Sequence, residues 1–366
     1  MKYQDDERIV LTLDAGGTNF VYSAIRGYES ITKPIRYPAQ SDNLEKCLEN
    51  IVQGFSQLKD KIDREPEAIS FAFPGPTDYR KGIIGDLHNL PAFRGGIPLG
   101  PYLEKEFDLP VYINNDGNLY AYGEALVGYL PDINKKLKEA GSPKQFRNLV
   151  GFTLGTGFGA GIVHNGELII GDNSNAAEVW IIRDALNPER NVEENISIRA
   201  VQREYAIKTK RDEKLSPKEI YKIAIGEKKG DRKAAKEAFQ RMGRSLGEVA
   251  SIVATLIDGI IVIGGGVAGA SSIILPSVLE VMNGSFDSNN GGKLPRLVTK
   301  NYNLEDDQQF SDFIQGKTKV IKIPGHETRL EYDPEKRIGV GVSKIGTSPA
   351  ISAGAYAFAL NQLDKK

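Results

Sequence analysis

The sequence predicts an α/β protein made of two mixed domains facing each other across a cleft, and three features lead there. A β-branched strand, a glycine turn and a second strand open the chain at 8–27, and the same succession recurs at 148–170. A length of 366 residues suits two domains. Glycine is enriched, at 39 residues or about 11% against a usual ~7%, and the glycines cluster after apolar runs. Two halves that begin alike suggest a ligand held between them.

Residues 8–14, RIVLTLD, form the first strand, and the turn Asp14-Ala15-Gly16-Gly17-Thr18-Asn19 leads into NFVYSAIRG. The spacing of Leu44, Cys47, Leu48, Ile51, Val52, Phe55 and Leu58 predicts a helix over 42–62, followed by the strand AISFAFPG at 68–75. A turn-rich stretch from Pro74 to Pro101, a short helix near 99–107, the strand VYINN at 111–115 and a helix over 118–128 complete the first half. The second half opens with NLVGFTL at 148–154, the turn GTGFGAG at 155–161, and GIVHNGELII, in which Asn165-Gly166 marks a two-residue hairpin. Residues 195–257 read as mostly helical, with an amphipathic segment over 232–257 that stops at Asp258-Gly259. IIVIGGG at 260–266 is a buried strand with a glycine turn, and a helix follows from Ile273 to Met282. NGSFDSNNGG at 283–292 is a loop by composition. From there to 348 only KVIKI at 319–323 alternates like a strand, and ISAGAYAFALNQL at 351–363 closes the chain as a helix.

Composition narrows the function. Lys and Arg number 47 against 48 Asp and Glu, so no global positive field recruits nucleic acid or an anionic membrane. The single cysteine, Cys47, excludes an intramolecular disulfide, suits a reducing compartment, and lies on the apolar face of its helix, where packing is its expected role. With one Cys and three His (His88, His164 and His326, without ligand spacing), no multi-cysteine zinc site is expected. The acidic start MKYQDDERIV is unlike a signal peptide, and the greasiest region, 249–270, is broken by Asp258-Gly259 and Gly264-Gly265-Gly266. A cytoplasmic protein is the expectation.

Several motifs carry chemistry, each with a structural alternative. The turn after Asp14 sets a carboxylate beside glycine N–H groups able to approach phosphates and a magnesium ion, or is simply a tight hairpin turn. Gly155-Thr156-Gly157-Phe158-Gly159-Ala160-Gly161 is a second anion cradle, or a bulged turn. Gly264 to Gly269 fits the G-x-G-x-x-G pattern of a dinucleotide-binding oxidoreductase, but sits late in the chain with no acidic strand terminus about 20 residues on. Gly316-Lys317-Thr318 has the tail of a Walker A loop, yet Ser311 stands where its first glycine belongs. Asp116, between a strand and a helix, is either a helix cap or a general base facing a cleft. Glu178 follows a polar turn, and Glu193 and Glu194 open a helix, where the dipole favours them anyway.

Taken in order, LDAGGTN at 13–19, FPGPTD at 73–78, NLPAFRGGIPL at 89–99, PVYINNDGN at 110–118, LGTGFGAGIVHNG at 154–166 and IVIGGGVAG at 261–269 resemble the ROK family of sugar kinases and sugar-responsive repressors. The resemblance implies the actin-like, ribonuclease H-like sugar kinase ATPase fold: a small α/β domain over 1–117 to which the helix 350–366 returns, and a larger one over 118–349 carrying an unassigned insertion at 284–348. It implies ATP and Mg²⁺ as cofactors, a small sugar as the ligand, and a homodimer. Asp14, Gly16, Gly17, Thr18 and Asn19 match the first phosphate loop, Asp14 also meeting magnesium through water. Gly155, Thr156, Gly157 and Gly159 match the second loop, and Gly265 and Gly266 the nucleotide turn. Asp116 matches the catalytic base, while Gly75, Asn89, Asn115, Glu178 and Glu193 match sugar-contacting positions.

The chain also departs from the family. Its members usually read Glu-x-Gly-His before a zinc-holding cysteine cluster; here Ile181 takes the histidine position and RDALNPERN has no cysteine, so zinc is not expected. The implied activity is phosphorylation of a free hexose or N-acetylhexosamine by ATP, glucose first. The alternative is a non-catalytic sugar sensor acting through a protein partner. A DNA-binding repressor is disfavoured, since about seven residues precede the first strand where such a branch carries a helix-turn-helix.

Overall fold

A computed structural model describes residues 2–15, 19–75, 77–87, 90–210 and 215–365. In chain order the strands are β1 Val10–Ala15, β2 Asn19–Arg26, β3 Glu29–Ser30, β4 Ile35–Pro38, β5 Ala68–Ala72, β6 Thr77–Asp78, β7 Ile83–Ile84, β8 Val111–Asn114, β9 Leu149–Leu154, β10 Phe158–His164, β11 Glu167–Leu168, β12 Arg183–Asp184, β13 Asn187–Asn191, β14 Ile260–Gly264, β15 Ser285–Asp287, β16 Lys293–Pro295, β17 Lys300–Asn303, β18 Lys319–Lys322, β19 Arg329–Tyr332 and β20 Arg337–Val342. The helices are α1 Leu44–Lys59, α2 Leu99–Phe107, α3 Asp116–Leu126, α4 Tyr129–Glu139, α5 Ile198–Thr209, α6 Pro217–Ile225, α7 Arg232–Ile257, α8 Ser271–Met282, α9 Asp307–Gln315 and α10 Thr347–Leu363. Among the described residues, no helix is long and apolar enough to cross a membrane.

The chain forms two compact units. One comprises Met1–Gly128, Gly166–Ala177 and Thr347–Lys366, and the other Tyr129–Asn165 and Glu178–Gly346. In the first, β1 pairs antiparallel with β2 and parallel with β5, which pairs parallel with β8. In the second, β9 pairs antiparallel with β10 and parallel with β14, which pairs parallel with β20, itself parallel to β17. The same arrangement thus occurs twice: an antiparallel pair followed by parallel strands. Parallel neighbours need crossover connections, and helices provide them.

The first sheet is covered on both faces. Cys47, Ile51, Phe55 and Leu58 recur on one stripe of α1 and pack with Leu11, Leu13, Phe71 and Leu103. Asn43 starts α1 by accepting the Lys46 N–H at 3.0 Å. Cys47 is buried there, and burial pushes its thiol up to about 11, so it stays protonated and inert. Tyr356, Ala359 and Leu360 of α10 cover the other face with Val10, Ile25 and Ala68.

The first unit continues past residue 117 to Gly128 because α3 packs along α10. Glycine makes that approach possible: a Cβ on Gly123 would lie 2.0 Å from the Ala350 carbonyl oxygen, and one on Gly354 would lie 1.9 Å from that of Leu119.

The stretch expected to be an insertion, 284–348, is corrected in part. It supplies β20 and β17 to the second sheet, with α9 between them, while β15–β16 and β18–β19 form separate two-stranded hairpins. RIGVGV hid β20, because its alternate glycines carry no side chain to mark a period; Leu304 fills the space over Gly339, where a Cβ would lie 2.3 Å from it. KVIKI is β18, a strand of an exposed hairpin and not of the core sheet. Helix α4, for which the sequence carried no expectation, packs Tyr129, Leu130, Ile133 and Leu137 inward.

Gly123→Ala is expected to destabilise the protein by about 1–3 kcal/mol through overpacking of α3 on α10. An unchanged denaturant midpoint would show that the two helices can part without cost.

Candidate active site

The first unit assembles its polar groups at the carboxyl ends of three parallel strands. Register places Asp14 of β1 beside Ala72 of β5, and Ala72 beside Asn114 of β8. The chain leaving β5 is tied down by the Phe73 N–H, which donates to the Asn114 carbonyl at 2.9 Å. Asp14, the Pro74-Gly75 turn and the Asn115-Asp116 turn therefore share one sheet edge, where open α/β sheets characteristically take ligands.

Each turn there has a local cause. The Tyr79 hydroxyl donates to the Phe73 carbonyl at 3.2 Å and would meet a Cβ on Gly75 at 3.1 Å, so a side chain there would require the tyrosine to give way slightly. After β8, the Asn115 side chain caps α3 by accepting the Gly117 N–H at 2.7 Å. Behind it, Asn114 Oδ1 accepts from the Asn115 N–H at 2.8 Å and from Asn118 Nδ2 at 2.9 Å. Both of those amides are buried, which fixes the turn. Asp116 is the first residue of α3, and its Oδ1 accepts the Gly117 N–H at 2.8 Å.

The carboxylates of Asp14 and Asp116 reach solvent but are crowded by protein. Desolvation pushes the Asp14 carboxyl above its ordinary value. Asp116 is raised first by desolvation, against the opposing pull of backbone N–H groups at the start of α3, and the like charge of Asp14 raises it further. Among the described residues, neither carboxylate forms an ion pair with a basic side chain. Gly16, Gly17, Thr18 and Asn89 of the expected site lie outside the described residues. Asn19 opens β2 with an exposed side chain.

In the second unit two glycine turns meet. Gly265 has φ +92°, and a Cβ on it would lie 2.3 Å from the Leu154 carbonyl oxygen. The Val267 N–H donates to that same oxygen at 3.1 Å, which holds the turn after β14 against the end of β9. The turn after β9 is shorter than GTGFGAG suggested. It spans Gly155 to Gly157, closed by the Gly155 N–H donating to the Gly157 carbonyl at 3.0 Å, while Gly159 lies within β10 opposite Thr153. Gly159 is therefore a strand residue and not part of the turn.

Glu193 braces this turn. Its Oε2 accepts the Phe158 N–H at 3.0 Å and its Oε1 accepts from Arg199 at 2.8 Å. A Cβ on Gly157 would lie 2.6 Å from that Oε2. Glu178 is partnered locally by the Trp180 indole N–H, and Ile181 is exposed. RDALNPERN forms the hairpin β12–β13, and among the described residues no group of three His, Cys, Asp or Glu side chains is placed to hold a metal ion.

Sequence reading missed the cavity beside the third glycine turn. It measures about 360 Å³ and is lined by Tyr221 and Ile225 of α6, Phe239 of α7, and Gly266, Val267 and Ala270 after β14. The space is largely apolar and of a size that takes a flat ring system. Its walls come from three elements between residues 217 and 270, and no short window of sequence brings them together.

This architecture defines the class: a mixed α/β, actin-like fold of the sugar kinase ATPases, with two α/β lobes. The crystal structure of glucokinase from Parabacteroides distasonis superposes with a TM-score of 0.91 and 51% identity, each chain 99% covered. A glucokinase of Thermotoga maritima is 26% identical over 74% of this chain and 86% of its own length. An N-acetyl-D-glucosamine kinase of Vibrio cholerae is 30% identical over 46% of this chain and 51% of its own. The ROK family model matches residues 10–303, and the chain belongs to the ROK family, as a kinase of its glucokinase-like type.

Gly265→Ala is expected to push the turn away from β9 and to speed hydrogen exchange of the Val267 amide by about tenfold. Exchange as slow as in the parent protein would mean that Leu154 yields instead.

Proposed function

We propose that the protein transfers the γ-phosphoryl group of ATP to a hydroxyl of a free hexose, glucose before N-acetylglucosamine, with Asp116 as the general base. The observation that carries this reading is the pair of carboxylates, Asp14 and Asp116, that strand register brings to one edge of the β1-β5-β8 sheet. A base that accepts a hydroxyl proton works best with its affinity for protons raised, and crowding together with a like charge does that here. In the transfer, the sugar oxygen bonds to the γ-phosphorus as the bond to the ADP oxygen breaks, and the hydroxyl proton passes to Asp116 Oδ. Ionised, Asp116 has carboxylate lone pairs to spare beyond the one that the Gly117 N–H occupies.

The nucleotide side rests on the second unit. Its apolar cavity suits an adenine ring, and the backbone N–H groups of Thr156, Gly157 and Gly266 suit phosphate oxygens. Asp14 fits a magnesium ion, since it is a carboxylate without a basic partner among the described residues, raised in pKa by burial. Magnesium bound there would offset the charge of the β- and γ-phosphates. On the sugar side, Gly75 lets the chain after β5 bend close to a ligand. The Asn115 side chain is occupied as a helix cap, which leaves its nitrogen as the group available to a sugar hydroxyl.

Glucose ranks first because the relative that is 51% identical over 99% of the chain is a glucokinase, whereas the N-acetylglucosamine kinase likeness spans about half of each chain. The sensor reading draws on exposed Ile181 in place of a histidine and on Glu178 held by Trp180. A panel of hexoses and N-acetylhexosamines with magnesium ATP, scored for ADP release and sugar phosphate, separates the two. Sugar binding without ADP release would establish the sensor.

Asp116→Asn is expected to lower kcat by ~10² to 10⁴ with nucleotide affinity nearly intact; an unchanged kcat would remove Asp116 from the chemistry. Because the Asp116 carboxyl is raised, its basic form is lost as pH falls through a value above its ordinary one. The acid limb of kcat/KM for the sugar should therefore lie above the ordinary value. A limb at the ordinary value of about 4 would contradict the assignment.

A further inference from the structure

The hairpin β12–β13 contains a buried carboxylate that the reading above does not use. Asp184 is fully buried, and three groups donate to it: the Ser245 hydroxyl of α7 at 2.9 Å and the Leu186 N–H at 3.3 Å, both to Oδ1, and Asn195 Nδ2 to Oδ2. Asn195 in turn accepts Arg241 Nε of α7 at 3.3 Å. A buried carboxyl group costs heavily unless its oxygens are hydrogen-bonded, and the donors that meet that need here tie the hairpin to α7 and to Asn195.

The effect of that tie is visible in what Asn195 terminates. It ends the short turn Val192–Glu194, whose Val192 N–H donates to the Ile182 carbonyl at 2.8 Å. Glu193 projects from this turn to the Phe158 N–H beside Gly157. The next residues return to the same place: the Ser197 hydroxyl donates to the Glu193 carbonyl at 3.0 Å, and the Ile198 N–H donates to the Gly155 carbonyl at 2.9 Å. A continuous polar path thus runs from α7 through Asp184 and Asn195 to both ends of the Gly155–Gly157 turn.

We propose that Asp184 is a positioning residue: anchored on Ser245, it sets the Asn195 end of the Val192–Glu194 turn, and through Glu193 it holds the Gly155–Gly157 backbone in the shape that receives nucleotide phosphates. Phosphoryl transfer depends on placement, so an error of an ångström in this turn is costly. The role of the turn rests on the kinase reading; the mechanical link from Asp184 to Phe158 does not.

The test uses the full chain with Asp184→Ala, Glu193→Gln, the double variant, and Ser245→Ala as a milder change should Asp184→Ala fold poorly. Hydrogen exchange at the Phe158 amide and steady-state kinetics are both read. The expected result is faster exchange at Phe158 in the Asp184 and Ser245 variants. KM for ATP should rise about tenfold in Asp184→Ala, with a smaller change in KM for the sugar, and the double variant should be no worse than the more impaired single one. Unchanged Phe158 protection, a lowered melting temperature with KM for ATP unaltered, or single effects that multiply would each overturn the proposal. A wild-type chain without turnover would overturn the kinase reading, and Phe158 exchange would still decide the link.

Discussion

Parallel pairing of β1, β5 and β8 is the constraint on which the chemistry of the first unit depends. Backbone hydrogen bonds fix the register of parallel strands, and here they bring Asp14, Ala72 and Asn114 to the same level. Every group argued to act on a sugar leaves the sheet within a few residues of that row. A slip of one residue in any of the three strands would invert its side chains between faces and scatter the site. The apolar layers under α1 and α10 forbid such a slip, because they would lose Leu11, Phe71 and Val10 from their places. Core packing and site geometry are therefore held by the same ladder.

The second unit meets the same requirement with backbone against backbone. Gly265 lies against the Leu154 carbonyl at a distance that no side chain permits, and the Val267 N–H secures the contact. Glycine there lets the turn after β14 lie directly against the end of β9. Glu193 occupies the space that a side chain on Gly157 would need. Where a zinc cluster is usual in the family, this chain has the hydrogen-bonded carboxylate of Asp184 between a hairpin and α7. A metal ion and a buried carboxylate are different means of pinning a loop, and the carboxylate requires only that its donors be in place.

Glycine-rich turns after apolar runs, and their repetition in the two halves, announced the α/β pattern, and the spacing of α1 and α7 was plain. Asp14 and Asp116 were visible as acids at strand ends. Other parts were less plain. RIGVGV carries glycines where a strand normally displays side chains, so the last parallel partner of β14 passed for part of an insertion. Helix α4 does carry a helical stripe, Tyr129, Leu130, Ile133 and Leu137, within a strongly charged segment, and Gly159 sits among turn glycines although it pairs with Thr153. The apolar cavity draws on α6, α7 and the turn after β14, residues whose proximity no short window records.

What the sequence by itself determined was the kind of chemistry: carboxylates at strand ends, glycines beside them, one cysteine, balanced charge, and six motifs in the order of one family. Those features are local, and local geometry follows from residue type. Tertiary structure alone decided which groups share a strand level, that Glu193 grips the amide after Gly157, and that Asp184 reaches Ser245 across 61 positions of chain. Such contacts join residues through packing and hydrogen bonds between distant segments, and the backbone must be folded before those distances exist.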